Sequence, residues 1–136
     1  MKIVRSRAPL RLGLAGGGSD LSPYCDKFGG YVLNATIDKY AYCVISTNDE
    51  NSVVFTASDL KETKKFLLNE NILVSGSLIL HKAVYVYMIE NYNDKLGLSI
   101  NLQTFCDVPM GSGLGASSTL VVAMITAFQK FLGLDF

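Results

Sequence analysis

The sequence has 136 residues, 49% of them apolar and 18% charged, which suits one folded domain with its own core and excludes a disordered segment. Twelve basic residues balance twelve acidic ones, so no basic surface for nucleic acid is expected. Cys25, Cys43 and Cys106 are odd in number and form no CxxC pair, which argues for reduced thiols in a cytoplasmic protein and against a disulfide frame or a zinc site.

Arg5, Arg7 and Arg11 interrupt the opening residues before any apolar run develops, so no secretory signal is predicted. Residues 2–14 read as one or two strands broken near Pro9. "GGGSD", residues 16–20, is a turn, and Ser19 or Asp20 is placed to cap a short helix running through Cys25 and Lys27. Residues 29–46, rich in Val, Ile, Tyr and Thr, resume as strand; "NDEN" makes a hairpin-like turn, and "SVVFTAS" is its answering strand. Residues 60–69 suggest a short polar helix or loop. Residues 78–92 place Leu78, Val84, Tyr85, Met88, Ile89 and Tyr92 at helical spacing.

Leu98, Ile100, Leu102 and Thr104 then alternate with Ser99, Asn101 and Gln103, the period of a half-buried strand ended by Pro109. A glycine-rich loop follows, and then a helix over residues 116–132, apolar almost all round and stopped by Gly133. The apolar run at residues 120–128 is far shorter than the roughly 20 residues that span a bilayer, so no membrane partner is expected. Strands first, then helix, strand, loop and helix make the class α+β.

The loop "DVPMGSGLGASST", residues 107–119, sits between a strand and a helix N-terminus. Glycines let backbone approach a ligand, and the first N–H groups of a helix have no intrahelical partner, so an anion is favoured there. Ser112, Ser117 and Ser118 add hydroxyls for phosphate oxygens or Mg²⁺. No lysine follows Gly115, which excludes a Walker loop. Gly111, Gly113 and Ala116 match G-x-G-x-x-A, and Asp135 lies near the spacing of a ribose-binding acid, but there is hardly room after the helix for the strand that acid should close. A phosphate loop of another fold, or a tight turn that merely caps a buried helix, remains open on these residues alone.

"SRAPLRLGLAGGGSDLSPY" adds a second cluster. Arg11 stands in an otherwise apolar strand, Gly16, Gly17 and Gly18 are consecutive, and Ser19 and Asp20 follow. An arginine binds phosphate in forked geometry and a carboxylate accepts hydrogen bonds from sugar hydroxyls, so the set suits a polyhydroxylated, phosphorylated substrate. The competing reading is a surface ion pair beside a capped helix.

Together the two stretches resemble the GHMP small-molecule kinases. The phosphate loop of that family runs P-x-x-x-G-L-G-S-S-A; Pro109, Gly113, Leu114, Gly115, Ser117 and Ser118 stand in its frame here, with Ala116 in place of the first serine and Ser118 in place of the alanine. Where galactokinases carry "APGRVNLIGEHTDY", this sequence carries "APLRLGLAGGGSDL", with Gly17 and Gly18 in place of Glu-His. Within the family the N-terminal stretch is most similar to the heptose 7-phosphate kinases, then to fucokinases.

The resemblance implies the GHMP N-terminal domain fold (ribosomal-protein S5 domain 2-like), a mixed sheet packed on helices. It implies an ATP-binding domain over residues 1–136, with a C-terminal domain supplied in cis or as another chain. It implies a sugar kinase using ATP and Mg²⁺ on the anomeric hydroxyl of heptose 7-phosphate, the alternatives being another sugar kinase of the family such as a fucokinase or a non-catalytic kinase half used in binding or dimerisation. Pro109, Gly111, Ser112, Gly113, Leu114, Gly115, Ala116, Ser117 and Ser118 would hold the ATP phosphates, with Ser117 on the metal. Arg11, Gly17, Gly18, Ser19 and Asp20 would hold the sugar, with Arg11 and Asp20 nearest the chemistry. His81 reads as structural. Tyr40, Tyr42, Tyr85, Tyr87 and Tyr92 fit core packing or a subunit surface, the latter of a homodimer. Asp38 and Lys39 should face solvent, and Asp107 should hydrogen-bond within the loop.

Overall fold

Eight elements follow one another in the computed structural model, which describes residues 1–135. They are β1 (Ile3–Ala15), α1 (Tyr24–Phe28), β2 (Leu33–Thr47), β3 (Ser52–Ala57), β4 (Glu62–Leu67), α2 (Ile79–Tyr92), β5 (Ile100–Cys106) and α3 (Ala116–Leu132). The strands form one mixed sheet in the order β1-β2-β5-β3-β4, antiparallel throughout except where β3 runs parallel to β5.

Strand alternation selects the face that meets the helices. Ala41, Cys43 and Ile45 of β2 and Ile100, Leu102, Thr104 and Cys106 of β5 are buried, and the residues between them are not. They join Met88 of α2 and Ala123, Met124, Ala127 and Phe128 of α3 in one core. Each large side chain buried there contributes roughly 1.5–3 kcal/mol. The opposite face is open and aromatic: Tyr40, Tyr42 and Phe105 neighbour one another at 6.1 and 6.2 Å, and the Arg7 guanidinium lies 4.6 Å over the Tyr40 ring. Asp38 and Lys39 are exposed, as expected.

α3 has the predicted bounds, and Gly133 ends it in a left-handed conformation. It is less enclosed than its composition suggests, since Val122 is 53% exposed. Four expectations fail. Residues 60–69 contain the edge strand β4, not a polar helix or loop; its charges guard the exposed edge, while Phe66 alternates inward against Phe55 at 5.8 Å. β3 does not answer β2 in a hairpin, because β5 inserts between them and pairs with both. Neither Ser19 nor Asp20 caps α1, which starts later, after Pro23, and has no side-chain cap. Pro9 does not break β1; it is followed by a register shift on a strand at the sheet edge, where a missing N–H is tolerated. No helix of the described residues is long and apolar enough to cross a membrane.

Candidate functional site

β5 delivers the loop and α3 receives it. Gly111, Gly113 and Gly115 take φ of 84°, 76° and 72°, the left-handed region that side chains disfavour. Gly115 is the N-cap of α3 and no side chain caps the helix. The Ser112 N–H donates to the Pro109 carbonyl and the Thr119 N–H to that of Gly115. The N–H groups of Gly113, Gly115, Ala116, Ser117 and Ser118 have no acceptor among the described residues. They border a recess of about 210 Å³ lined by Gly111, Gly113, Gly115, Ala116, Ser117 and Ser118. Unpaired amides and the positive end of a helix dipole give this recess the chemistry of an anion site.

The serines differ in availability. Ser118 Oγ donates to the Gly115 carbonyl at 3.1 Å and accepts from Arg11 Nη1 at 3.2 Å. Ser117 Oγ is exposed and has no partner among the described residues, which leaves it free for a metal or phosphate oxygen. Ala116 is 5% exposed, so the departure from the family's serine removes no surface hydroxyl there. Arg11 reaches the loop twice, since its N–H also donates to the Leu114 carbonyl at 3.3 Å.

The N-terminal turn meets this loop. Gly113, Gly115 and Arg11 also line a second recess of about 350 Å³, with Gly17, Gly18, Asp20 and Asn34. Asp20 is exposed and forms no ion pair with Arg11; Lys65–Glu50 is the salt bridge found among the described residues. The ion-pair and capped-helix explanation of this cluster therefore has neither of its parts. Ser19 is committed elsewhere: its hydroxyl accepts the Tyr31 N–H at 3.1 Å and lies 2.7 Å from the Gly16 carbonyl and 2.9 Å from that of Tyr31. It staples the turn to the start of β2, and Asp20 is the group left facing the recess.

Sequence reading missed Asn34 and misplaced Asp107. Asn34 enters through the pairing of Gly13 with Asn34 across β1 and β2, a register no local pattern reveals. Asp107 does not bond within the loop; its Oδ2 accepts the Tyr40 N–H at 2.8 Å and the Tyr42 hydroxyl at 3.4 Å. Beside the loop, Met110 and Leu120 border an apolar recess of about 130 Å³ with His81 at its wall. His81 is buried and its Nε2 pairs with Thr104 Oγ1 at 2.7 Å. Burial pushes its pKa down to about 4, against a smaller upward pull from Asp59 and Glu62, so the ring is neutral. Of the tyrosines, Tyr85 is core and Tyr87 is 52% exposed.

Residues 79–136 match the model of the GHMP kinases N terminal domain. Across 98% of its length the chain is 45% identical to the D-glycero-alpha-D-manno-heptose 7-phosphate kinase of Campylobacter jejuni. The chain belongs to the GHMP kinase family. As a GHMP kinase domain it spans 39% of that relative. It superimposes with a TM-score of 0.89 and 46% identity on a D-glycero-D-manno-heptose 1-phosphate kinase from Bacteroides thetaiotaomicron, covering 98% of this chain and 43% of that one. A galactokinase of Lactococcus lactis, 20% identical with a TM-score of 0.77 over 99% of this chain and 34% of its own, shares the fold. The L-fucokinase/L-fucose-1-P guanylyltransferase of Bacteroides fragilis is 28% identical over 98% of this chain and 16% of its own length.

Proposed function

We propose that the polypeptide carrying this domain is an ATP-dependent sugar kinase acting on the anomeric hydroxyl of D-glycero-D-manno-heptose 7-phosphate. The product is the 1,7-bisphosphate, used in making nucleotide-activated heptose for surface polysaccharide. The observation that carries the reading is the junction of two recesses at Gly113 and Gly115: an amide-lined one beside a larger one that presents Arg11 and Asp20. The names of both heptose relatives support a heptose phosphate as substrate, and identity of 45% and 46% favours it over the fucokinase reading at 28%.

Phosphoryl transfer depends mainly on positioning and on neutralising charge. The free amides of residues 113–118 hold the ATP phosphates. The apolar recess by Met110 and Leu120 adjoins the loop and suits the nucleotide's flat base. Asp20 accepts hydrogen bonds from sugar hydroxyls, and the small side of the turn at Gly17 and Gly18 leaves space for a long sugar. Arg11 borders the larger recess and its guanidinium donates to Ser118 at the wall of the amide-lined one, which places positive charge where the phosphoryl group crosses. The sugar oxygen bonds to the γ-phosphorus as the bond to the ADP oxygen breaks, and the hydroxyl proton is released to water.

The described residues contain no cluster of His, Cys, Asp or Glu that could hold a metal unaided. Ser117 Oγ and nucleotide phosphate oxygens together fit Mg²⁺, which when bound neutralises phosphate charge. A further domain of the polypeptide closes over the recesses, so the 136-residue chain alone should show little kinase activity. The reaction takes place in the cytoplasm.

The test is an ADP-release assay on the full-length polypeptide with heptose 7-phosphate. Ser117→Ala and Asp20→Ala should each lower kcat/KM roughly 10- to 150-fold, the effect of losing one charge-assisted contact. Wild-type turnover in both variants would sink the assignment.

A further inference from the structure

We propose that Asp107 is a positioning residue for the phosphate loop, fixing the point and direction at which the chain leaves the sheet. The inference rests on reading the loop as the ATP-phosphate site. β2 and β5 pair from Thr47↔Ile100 to Ala41↔Cys106, and the next opposed residues are Tyr40 and Asp107. The Asp107 N–H donates to the Tyr40 carbonyl at 3.0 Å, as in a regular rung. In a regular antiparallel pair the return bond would run from the Tyr40 N–H to the Asp107 carbonyl. Here the Tyr40 N–H donates instead to Asp107 Oδ2, at 2.8 Å. The side chain of Asp107 takes the place of its own main-chain carbonyl.

That exchange has a structural consequence. The Tyr40 N–H stays satisfied while the Asp107 carbonyl is released from the ladder, so the chain turns toward Pro109 without leaving a part-buried donor unpaired. The Tyr42 hydroxyl adds a second donor to the same oxygen at 3.4 Å, and Arg7 stacks over the Tyr40 ring. Burial and then the Asp107 charge push the Tyr42 phenol pKa upward, so it keeps the proton it donates. Gly111, where the amide-lined recess begins, is four residues beyond Asp107. With Arg11 bonding Leu114 and Ser118 at the far end, the loop is tied to two different strands.

Two measurements on the full-length polypeptide decide the point. The first is steady-state kinetics with Mg-ATP and heptose 7-phosphate varied separately. Asp107→Ala should raise KM for Mg-ATP roughly 10- to 100-fold, and KM for the sugar by less than about twofold. Asp107→Asn keeps an acceptor for the Tyr40 N–H and should stay within about threefold of wild type; Tyr42→Phe should do the same. The second is hydrogen exchange without nucleotide, in which Asp107→Ala should speed exchange at the hydrogen-bonded amides of Tyr40, Ser112 and Thr119. Unchanged exchange there, or equal loss for both substrates with no rescue by asparagine, overturns the proposal. A wild-type polypeptide that binds no ATP sinks the kinase reading, while the exchange comparison still decides whether Asp107 fixes the loop.

Discussion

Two glycine-rich segments face each other across this site and work by opposite means. In the phosphate loop the backbone is the ligand: Gly111, Gly113 and Gly115 hold left-handed conformations, and the amides they expose have no partner among the described residues. In the N-terminal turn the backbone is consumed internally. The Gly16 carbonyl takes the Ser19 N–H at 3.0 Å, the Ser19 hydroxyl knits the turn to Tyr31, and the presented group is the carboxylate of Asp20. An amide cradle suits a phosphate, and a carboxylate suits hydroxyls. On the proposed reading, two similar-looking compositions divide the two substrates between them.

Substitutions should separate these roles. The largest effect is expected at Gly16, where an added Cβ would lie 1.9 Å from the Tyr31 carbonyl oxygen in a backbone held at φ 76°. Gly16→Ala should cost about 3 kcal/mol or more in urea unfolding; a native-like midpoint would show the turn to be looser than described. Next comes the contact between α2 and β5, where His81 meets Thr104. The folded His81 stays neutral to about pH 4, whereas an unfolded histidine takes a proton below about pH 6.5. The unfolded state thus gains protons first, and stability should fall by ~3 kcal/mol as pH drops through that window, then level off. Unfolding midpoints in His81→Gln should lose that slope; an unaltered slope would assign it to other groups.

At the loop, Gly115→Ala puts a Cβ 2.9 Å from Arg11 Nη1 at φ 72°. It should weaken Mg-ATP binding, measured by calorimetry, roughly 100-fold, and sugar binding by less, since Gly115 and Arg11 also border the larger recess. The smallest effect is the most discriminating. Gly17 has open space around it and no left-handed φ, so neither crowding nor backbone demands glycine there. Gly17→Ala should leave the fold as stable, or up to about 1 kcal/mol more so. Its side chain should project into the sugar recess and raise the sugar KM about tenfold. If both KM values stayed put, the recess would not be the sugar site.

Much of this was readable from local pattern, because the pattern and the physics coincide. Period-two alternation over residues 98–104 and apolar spacing over residues 116–132 specify β5 and α3, and glycines between strand and helix specify an anion loop. β4 escaped because a short, charged edge strand has the composition of a loop, and its identity lies in pairing with β3. The β2–β3 hairpin was wrong for the same reason: adjacency in sequence says nothing of a strand inserted from beyond α2.

By itself, then, the sequence determined the family, the class of the fold, the loop and the residues on either side of the site, since each is written in spacing and residue type over a few turns. Tertiary structure alone decided which hydroxyls are free. It committed Ser19 and Ser118 to hydrogen bonds, left Ser117 open, brought Asn34 to the recess beside Asp20 and sent Asp107 back to β2. Those outcomes depend on distances between residues far apart in the chain, and such distances exist only once the core has closed and fixed the register of the sheet.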